Sequence, residues 1–114
     1  AMIFNPLCNA LAAGNRVMLK PSEFNPKTAE LIQQLVAKYF DDDVIYTVTG
    51  GAESGAAFSA LPLDHILFTG ASSIGKMIMA AAAQNLTPVT LELGGKSPVM
   101  VLADADAEAA ARSS

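Results

Sequence analysis

The chain has few of the side chains that cross-link small proteins or hold metal ions. Its 114 residues include one cysteine, one histidine and no tryptophan. Cys8 alone cannot form an internal disulfide or a cysteine metal cluster, and the lone His65 supplies no second ligand. The sequence therefore predicts no metal site. An unpaired thiol also agrees with a reducing compartment, so we expect a cytoplasmic location.

Positive charge is also scarce. The chain has 7 basic and 11 acidic residues, a formal net charge of −4, and no basic cluster. Because nucleic acids and anionic membranes bind clustered Lys and Arg, neither partner is predicted. No apolar run approaches the roughly 20 residues of a membrane span. The apolar start also lacks the basic residue that precedes the core of a secretory signal.

Apolar residues make up 52% of the chain, enough for one domain with a core. Short β-prone runs alternate with segments of helical spacing, which predicts an α/β fold with a doubly wound, mainly parallel, Rossmann-like sheet and helices on both faces. Strands are expected at residues 16–20, 44–48, 66–69, 89–91 and 99–102. Helices are expected to end near residue 13, to start at Pro26 after an Asn25 cap, to follow residues 50–51, to span 73–84 and to begin after residue 106.

The segment from Thr90 to Pro98 places one carboxylate just before a pair of glycines. It reads Thr-Leu-Glu-Leu-Gly-Gly-Lys-Ser-Pro and follows an apolar, β-prone run that Glu92 interrupts. Glycines let the backbone turn sharply and approach a bound molecule, and a carboxylate at the end of a strand can act as a general base. The same pattern is compatible with an exposed glutamate on an edge strand, the usual place for a charged residue.

A second candidate site runs from Gly70 to Gly75, between a predicted strand and a predicted helix. Backbone N–H groups at such a turn, together with the helix dipole, can bind a pyrophosphate. The segment lacks the middle glycine of the usual dinucleotide fingerprint. With Lys76 it matches the start of a P-loop, but Met77 stands where that motif needs a hydroxyl for magnesium. An ordinary glycine turn and, less favoured, a P-loop phosphohydrolase are the alternatives.

Three motifs together resemble the aldehyde dehydrogenase superfamily. Residues 90–98 are similar to its glutamate signature, residues 68–75 to its phosphate-side loop, and residues 14–23 to the strand that brings a lysine and a glutamate to the adenosine ribose. They occur in the family's order and, together with the segments that join them, cover nearly the whole chain. Within the superfamily, residues 48–53 and 85–88 resemble the branch of coniferyl aldehyde dehydrogenases.

The resemblance implies an oxidoreductase that converts an aldehyde to a carboxylic acid with NAD(P) through a cysteine thiohemiacetal. Glu92 matches the catalytic glutamate that activates water for thioester hydrolysis, a role that requires partial burial. Glu23 matches the carboxylate that accepts hydrogen bonds from the ribose and disfavours a 2′-phosphate, so NAD is expected, with NADP as the alternative. Ala71 stands where the family often has serine, which predicts a weaker phosphate contact. The residues implied in cofactor binding are Lys20, Ser22, Glu23, Gly51, Gly70, Ala71, Ile74, Gly75 and Leu93.

Cys8 does not match the family's nucleophile. It precedes the lysine strand, whereas the family's cysteine follows the glutamate motif, so we expect Cys8 to be a buried helix residue. The resemblance therefore predicts that residues 1–114 are an internal piece of the cofactor-binding domain, ending after the glutamate motif and lacking the catalytic domain. The isolated chain is expected to be inactive, and the parent enzyme to bind an aldehyde and form a homo-oligomer. A nucleotide-binding or scaffold remnant without catalysis is the alternative.

Overall fold

The computed structural model describes residues 2–113 and shows helices alternating with parallel strands in that range. Strand β1 pairs with β2, and β3 pairs with β4, both in parallel. The two pairs are separate sheets, since no hydrogen bonds join them within the described residues. In chain order the elements are α1 (Phe4–Ala12), β1 (Val17–Leu19), α2 (Pro26–Tyr39), β2 (Ile45–Thr47), α3 (Ala52–Ser59), β3 (Ile66–Gly70), α4 (Ser72–Ala83), β4 (Val89–Leu93) and α5 (Ala107–Ser113).

One apolar cluster holds the β1–β2 pair against α1 and α2. Its buried members are Leu7, Leu19, Ile32, Val36 and Ile45. Ile32 and Val36 lie four residues apart and therefore share one face of α2. Leu19 is the last residue of β1, so the cluster fixes the position from which the chain continues to Lys20.

Helix α4 packs closely on the β3–β4 pair at Gly75. A Cβ atom built on this glycine would lie 3.1 Å from Leu93 Cδ2 and 3.4 Å from Leu91 Cδ1. Leu91 and Leu93 are two residues apart, so both face α4, while Glu92 between them faces the other side of the sheet. The missing side chain at Gly75 thus lets the start of α4 approach the carboxyl end of β4.

Two side-chain hydrogen bonds connect the turn before β4 to the segment before β3. Thr87 Oγ1 donates to the carbonyl of Leu63 at 2.8 Å, and Asn85 Nδ2 donates to the carbonyl of Ala60 at 2.8 Å. Thr87 is buried, so its bond satisfies a hydroxyl that would otherwise lack a partner. Leu86, between the two donors, adopts a φ of 56°, a conformation that a bulky residue keeps only where its surroundings impose it.

The structure confirms the predicted α/β class with parallel strands and corrects one strand. Four of the predicted strands are present, with shorter bounds for β1 and β2. The strand predicted at residues 99–102 is wrong, because no described segment pairs with it and its four side chains are exposed. An apolar run becomes a strand only when its backbone groups find partners. The sequence predicted one sheet with helices on both faces. Within the described residues the four strands instead form two separate parallel pairs.

Helix positions agree with the sequence, but two side chains differ from expectation. Pro26 is the first residue of α2 after Asn25, as predicted, although the Asn25 side chain makes no capping bond. Cys8 is exposed, so its predicted burial is wrong. Leu7 and Leu11 of α1 lie four residues apart and pack towards the core. Cys8 is about 100° further round the helix than Leu7 and therefore points away from the core.

The chain exposes more surface than a compact domain of its length. Its accessible surface is 8587 Å², whereas a compact protein of this length exposes about 5,900 Å². Its radius of gyration is 17.6 Å, against about 13 Å for a compact domain. Met77 and Met79 of α4 are among the exposed apolar side chains.

Candidate dinucleotide-binding site

Three of the predicted site residues lie at or next to the carboxyl ends of strands. Lys20 directly follows β1, Gly70 ends β3, and Glu92 is the penultimate residue of β4. The strand register pairs Thr69 with Glu92 and Gly70 with Leu93, which places Glu92 beside the turn into α4. In α/β sheets, ligands bind outside the carboxyl ends of the strands. The structure thus places one group of candidates at the end of β1 and a second at the ends of β3 and β4.

Lys20 and Glu23 form an ion pair at the end of β1. Lys20 Nζ lies 3.0 Å from Glu23 Oε2 and 3.4 Å from the carbonyl oxygen of Pro21. The Lys20 side chain is 14% exposed and that of Glu23 is 39% exposed, so the lysine is largely covered and the carboxylate is open to solvent. Ser22 shapes the turn between them, since its Oγ accepts a hydrogen bond from the Phe24 N–H at 3.3 Å.

The pKa of Glu23 lies below the ordinary carboxyl value. The main cause is a hydrogen bond from its own backbone N–H, followed by the hydrogen bond and charge of Lys20. A lowered pKa keeps the carboxylate charged and able to accept hydrogen bonds at neutral pH. The stabilisation that the pair provides is present above the ordinary carboxyl pKa and is lost as the pH falls through the lowered pKa of Glu23.

The candidate phosphate loop leads into α4 without a side-chain cap. Ala71 is the N-cap residue, with φ −69° and ψ 141°, and makes no side-chain hydrogen bond to the helix. A helix N-terminus that lacks a side-chain cap can direct its first N–H groups to a phosphate. Ile74 is exposed in the first turn, whereas Gly75 is buried and its N–H donates to the Ala71 carbonyl at 3.0 Å. Gly75 therefore has a packing role in addition to any contact with a cofactor.

The two other candidate glycines differ in their surroundings. A Cβ atom on Gly70 would lie 2.5 Å from Phe68 Cζ, so the glycine leaves room for that ring. Gly51 is the N-cap residue of α3, and a Cβ atom there would meet no atom within 4 Å. Gly51 thus lies in open space that a bound molecule can enter, whereas Gly70 is constrained by its own strand.

Glu92 is exposed, which differs from the partial burial that its predicted role requires. Helix α4 covers the face of β4 that carries Leu91 and Leu93. Thr90 and Glu92 lie on the opposite face, where Thr90 Oγ1 is 2.9 Å from His65 Nε2. Burial of Glu92 therefore requires another protein surface on that face of the sheet.

The sequence-based candidates omitted Gly55, a glycine inside α3. The Lys20 side chain lies against it, with the Cε atom 3.5 Å from where a Cβ atom of residue 55 would be. A glycine in a helix interior is a recognisable signal, because it weakens the helix and so usually has a packing reason. Within residues 2–113, no group of three or more His, Cys, Asp or Glu side chains is arranged to hold a metal ion. No helix in that range is long and apolar enough to cross a bilayer.

Parallel strands, a glycine turn before a helix and an acidic residue that can bind a ribose are features of α/β dinucleotide-binding folds. The family model described as "Aldehyde dehydrogenase family" matches residues 1–114. The coniferyl aldehyde dehydrogenase of a Pseudomonas strain is 58% identical over 105 residues, which cover 92% of this chain and 22% of that protein. The dimeric, NADP-preferring aldehyde dehydrogenase of Mus musculus is 45% identical over 97% of this chain and 24% of its own length.

A solved structure also matches the chain and supports the same family. The Mycobacterium tuberculosis aldehyde dehydrogenase complexed with NAD+ matches with a TM-score of 0.75 and 40% identity, over 88% of this chain and 21% of that one. The chain therefore belongs to the aldehyde dehydrogenase family, and its predicted likeness to the coniferyl branch is confirmed. It spans 22% of the length of the Pseudomonas relative.

Proposed function

We propose that this chain supplies the cofactor-binding part of an aldehyde dehydrogenase that uses NAD to oxidise an aldehyde to a carboxylic acid. The observation that carries the proposal is the Lys20–Glu23 pair, 3.0 Å apart at the carboxyl end of β1. In α/β dinucleotide-binding folds an acidic side chain in such a position accepts hydrogen bonds from the cofactor's ribose. Membership of the family and the NAD+ complex of a relative support the same assignment.

The adenosine end of the cofactor fits the pair chemically. The Glu23 carboxylate is open to solvent and charged, so it can accept hydrogen bonds from the two ribose hydroxyls. The Lys20 ammonium can donate to the same ribose while remaining paired with Glu23. A 2′-phosphate would bring negative charge against the carboxylate, which favours NAD over NADP.

The phosphates of the cofactor fit the start of α4. The uncapped N-terminus offers backbone N–H groups and the positive end of the helix dipole. Ala71 carries no hydroxyl, so this part of the site relies on backbone groups alone. Ile74 and Gly51 lie in exposed positions from which they can contact the cofactor, and Leu93 ends the strand beside the turn.

Glu92 is proposed as the general base of the reaction. A bound NAD would supply the hydride acceptor, and an aldehyde carbon bonded to a thiol would become a thioester on losing that hydride. The Glu92 carboxylate takes a proton from the water that hydrolyses this thioester. Cys8 is not its partner nucleophile, because it is an exposed residue of α1, in the part of the chain that packs on β1. A thiol beside Glu92 would have to come from residues other than those of this chain.

Two further properties are proposed for the whole protein. We propose a homo-oligomer, because the exposed apolar surface includes Met77 and Met79 of α4. We also propose a cytoplasmic location, because the one thiol of the chain has no cysteine partner within it.

The alternative functions make distinct demands on the chain. A P-loop phosphohydrolase needs a hydroxyl after the lysine, and the residue after Lys76 is Met77, whose thioether is a poor ligand for magnesium. A nucleotide-binding remnant without catalysis would keep the Lys20–Glu23 pair but would not need Glu92. Retained cofactor binding by the whole protein, together with no aldehyde oxidation by it, would favour that remnant.

Replacement of Lys20 by alanine is expected to weaken NAD binding. The change removes a charged donor at the ribose and one partner of Glu23, which costs about 1–3 kcal/mol of binding free energy. Isothermal titration of the chain with NAD measures the effect. Lys27→Ala is the matched control, since Lys27 is an exposed lysine of α2 outside the candidate site. Equal NAD affinity of Lys20→Ala and the unmodified chain would remove Lys20 from the site.

A further inference from the structure

The side chain of Lys20 lies along α3 at Gly55. A Cβ atom on residue 55 would be 3.5 Å from Lys20 Cε, 3.9 Å from Nζ and 4.0 Å from Cδ. These three atoms include the ammonium group that also binds Glu23 at 3.0 Å. The position of the lysine thus depends on contacts with two segments, the turn after β1 and the middle of α3.

We propose that Gly55 is a positioning residue for cofactor recognition, because the bare backbone of α3 at this point lets Lys20 lie on the helix with its ammonium beside Glu23. The expected effect of Gly55 on cofactor binding rests on the proposed function. The effect on the Lys20–Glu23 pair follows from the contacts alone. Gly55 itself does not need to touch the cofactor.

The distances define which residues position 55 can accept. An alanine Cβ at 3.5 Å from Lys20 Cε is in ordinary van der Waals contact, so alanine fits without moving the lysine. A larger side chain adds atoms beyond a Cβ that already touches the lysine stem, so we expect it to displace Lys20. The Lys20 stem therefore allows glycine or alanine at position 55 but no larger side chain.

The test compares the variants Gly55→Ala and Gly55→Leu of the 114-residue chain with the control variant Ala57→Leu. Leucine is a good helix former, so Gly55→Leu does not weaken α3 by propensity, and Ala57 is an exposed residue of the same helix. The pKa of Glu23 is measured by NMR titration, and the affinities for NAD and NADP by calorimetry. The same pKa measurement is repeated for Gly55→Leu in a Lys20→Ala background.

Gly55→Leu is expected to raise the pKa of Glu23 towards the ordinary carboxyl value, because Lys20 no longer lies beside it. It is also expected to weaken NAD binding roughly tenfold, as for one lost charge-assisted hydrogen bond. Gly55→Ala and Ala57→Leu are expected to change neither quantity. In the Lys20→Ala background, Gly55→Leu is expected to have no further effect on the pKa of Glu23.

The outcomes separate this inference from the proposed function. An unchanged Glu23 pKa in Gly55→Leu overturns the inference, as does an equal shift in Ala57→Leu or a further shift in the Lys20→Ala background. A raised Glu23 pKa with unchanged NAD affinity supports the positioning of Lys20 by Gly55 and contradicts the proposed role of the pair in cofactor binding.

Discussion

Addition of NAD and an aldehyde to the 114-residue chain is expected to produce no NADH. Oxidation through a thioester needs a thiolate at the aldehyde carbon, and Cys8 is the one cysteine of the sequence. It is an exposed residue of α1, whereas Glu92 lies on β4. The proposed general base, Glu92, would then have no acyl group to hydrolyse. The measurement is NADH absorbance with several aldehydes, and the expected rate equals that of a blank without protein.

The Cys8→Ser variant is the control for this experiment. Because the thiol is not part of the proposed site, the variant is expected to bind NAD as the unmodified chain does and to be equally inactive. Aldehyde-dependent NADH formation that disappears in Cys8→Ser would contradict the account, since Cys8 would then be a working nucleophile. Binding of NAD must be measured in the same samples, so that inactivity is not confused with an empty site.

Replacement of Gly75 by leucine is expected to lower the free energy of unfolding by about 1–3 kcal/mol or more, as overpacking of a close contact does. Even the Cβ atom of a new side chain would lie 3.1 Å from Leu93 Cδ2, closer than in nine out of ten real Cβ contacts. The remaining leucine atoms would force α4 away from Leu91 and Leu93. Urea unfolding followed by circular dichroism measures the change.

The control places the same leucine elsewhere on the helix. Ala80→Leu adds an equal volume to α4 at an exposed residue and is expected to change stability little. Equal stabilities of Gly75→Leu and Ala80→Leu would mean that α4 does not approach β4 at Gly75. The predicted site would then lose the geometry that places the start of α4 beside Glu92.

Elements with strong local signals could be predicted from the sequence. Pro26 after Asn25 predicted the start of α2 correctly, because proline fits the first helical residue and asparagine often precedes it. The apolar run that starts at Ile66 gave strand β3. The run at residues 99–102 is equally apolar and is not a strand. Apolar side chains favour burial, but a strand also needs a neighbouring backbone with which to form hydrogen bonds. The local sequence does not show whether such a neighbour is present.

The candidate site shows the same limit. The motifs placed Lys20, Gly70 and Glu92 near strand ends, and the structure places them there. The contact of Lys20 with Gly55 joins residues far apart in the sequence and became visible only in the structure. The exposure of Glu92 depends on which surface covers one face of β4, and that is a property of neighbouring protein rather than of the motif.

A parallel titration of the chain with NAD and NADP tests the central claim most directly. That claim is that residues 20–23 and the start of α4 form a dinucleotide site in which the Glu23 carboxylate meets the ribose. The account predicts saturable binding of both cofactors with a lower Kd for NAD, because a 2′-phosphate is repelled by Glu23. The account would be contradicted if neither cofactor binds, or if the Kd for NADP is lower than the Kd for NAD.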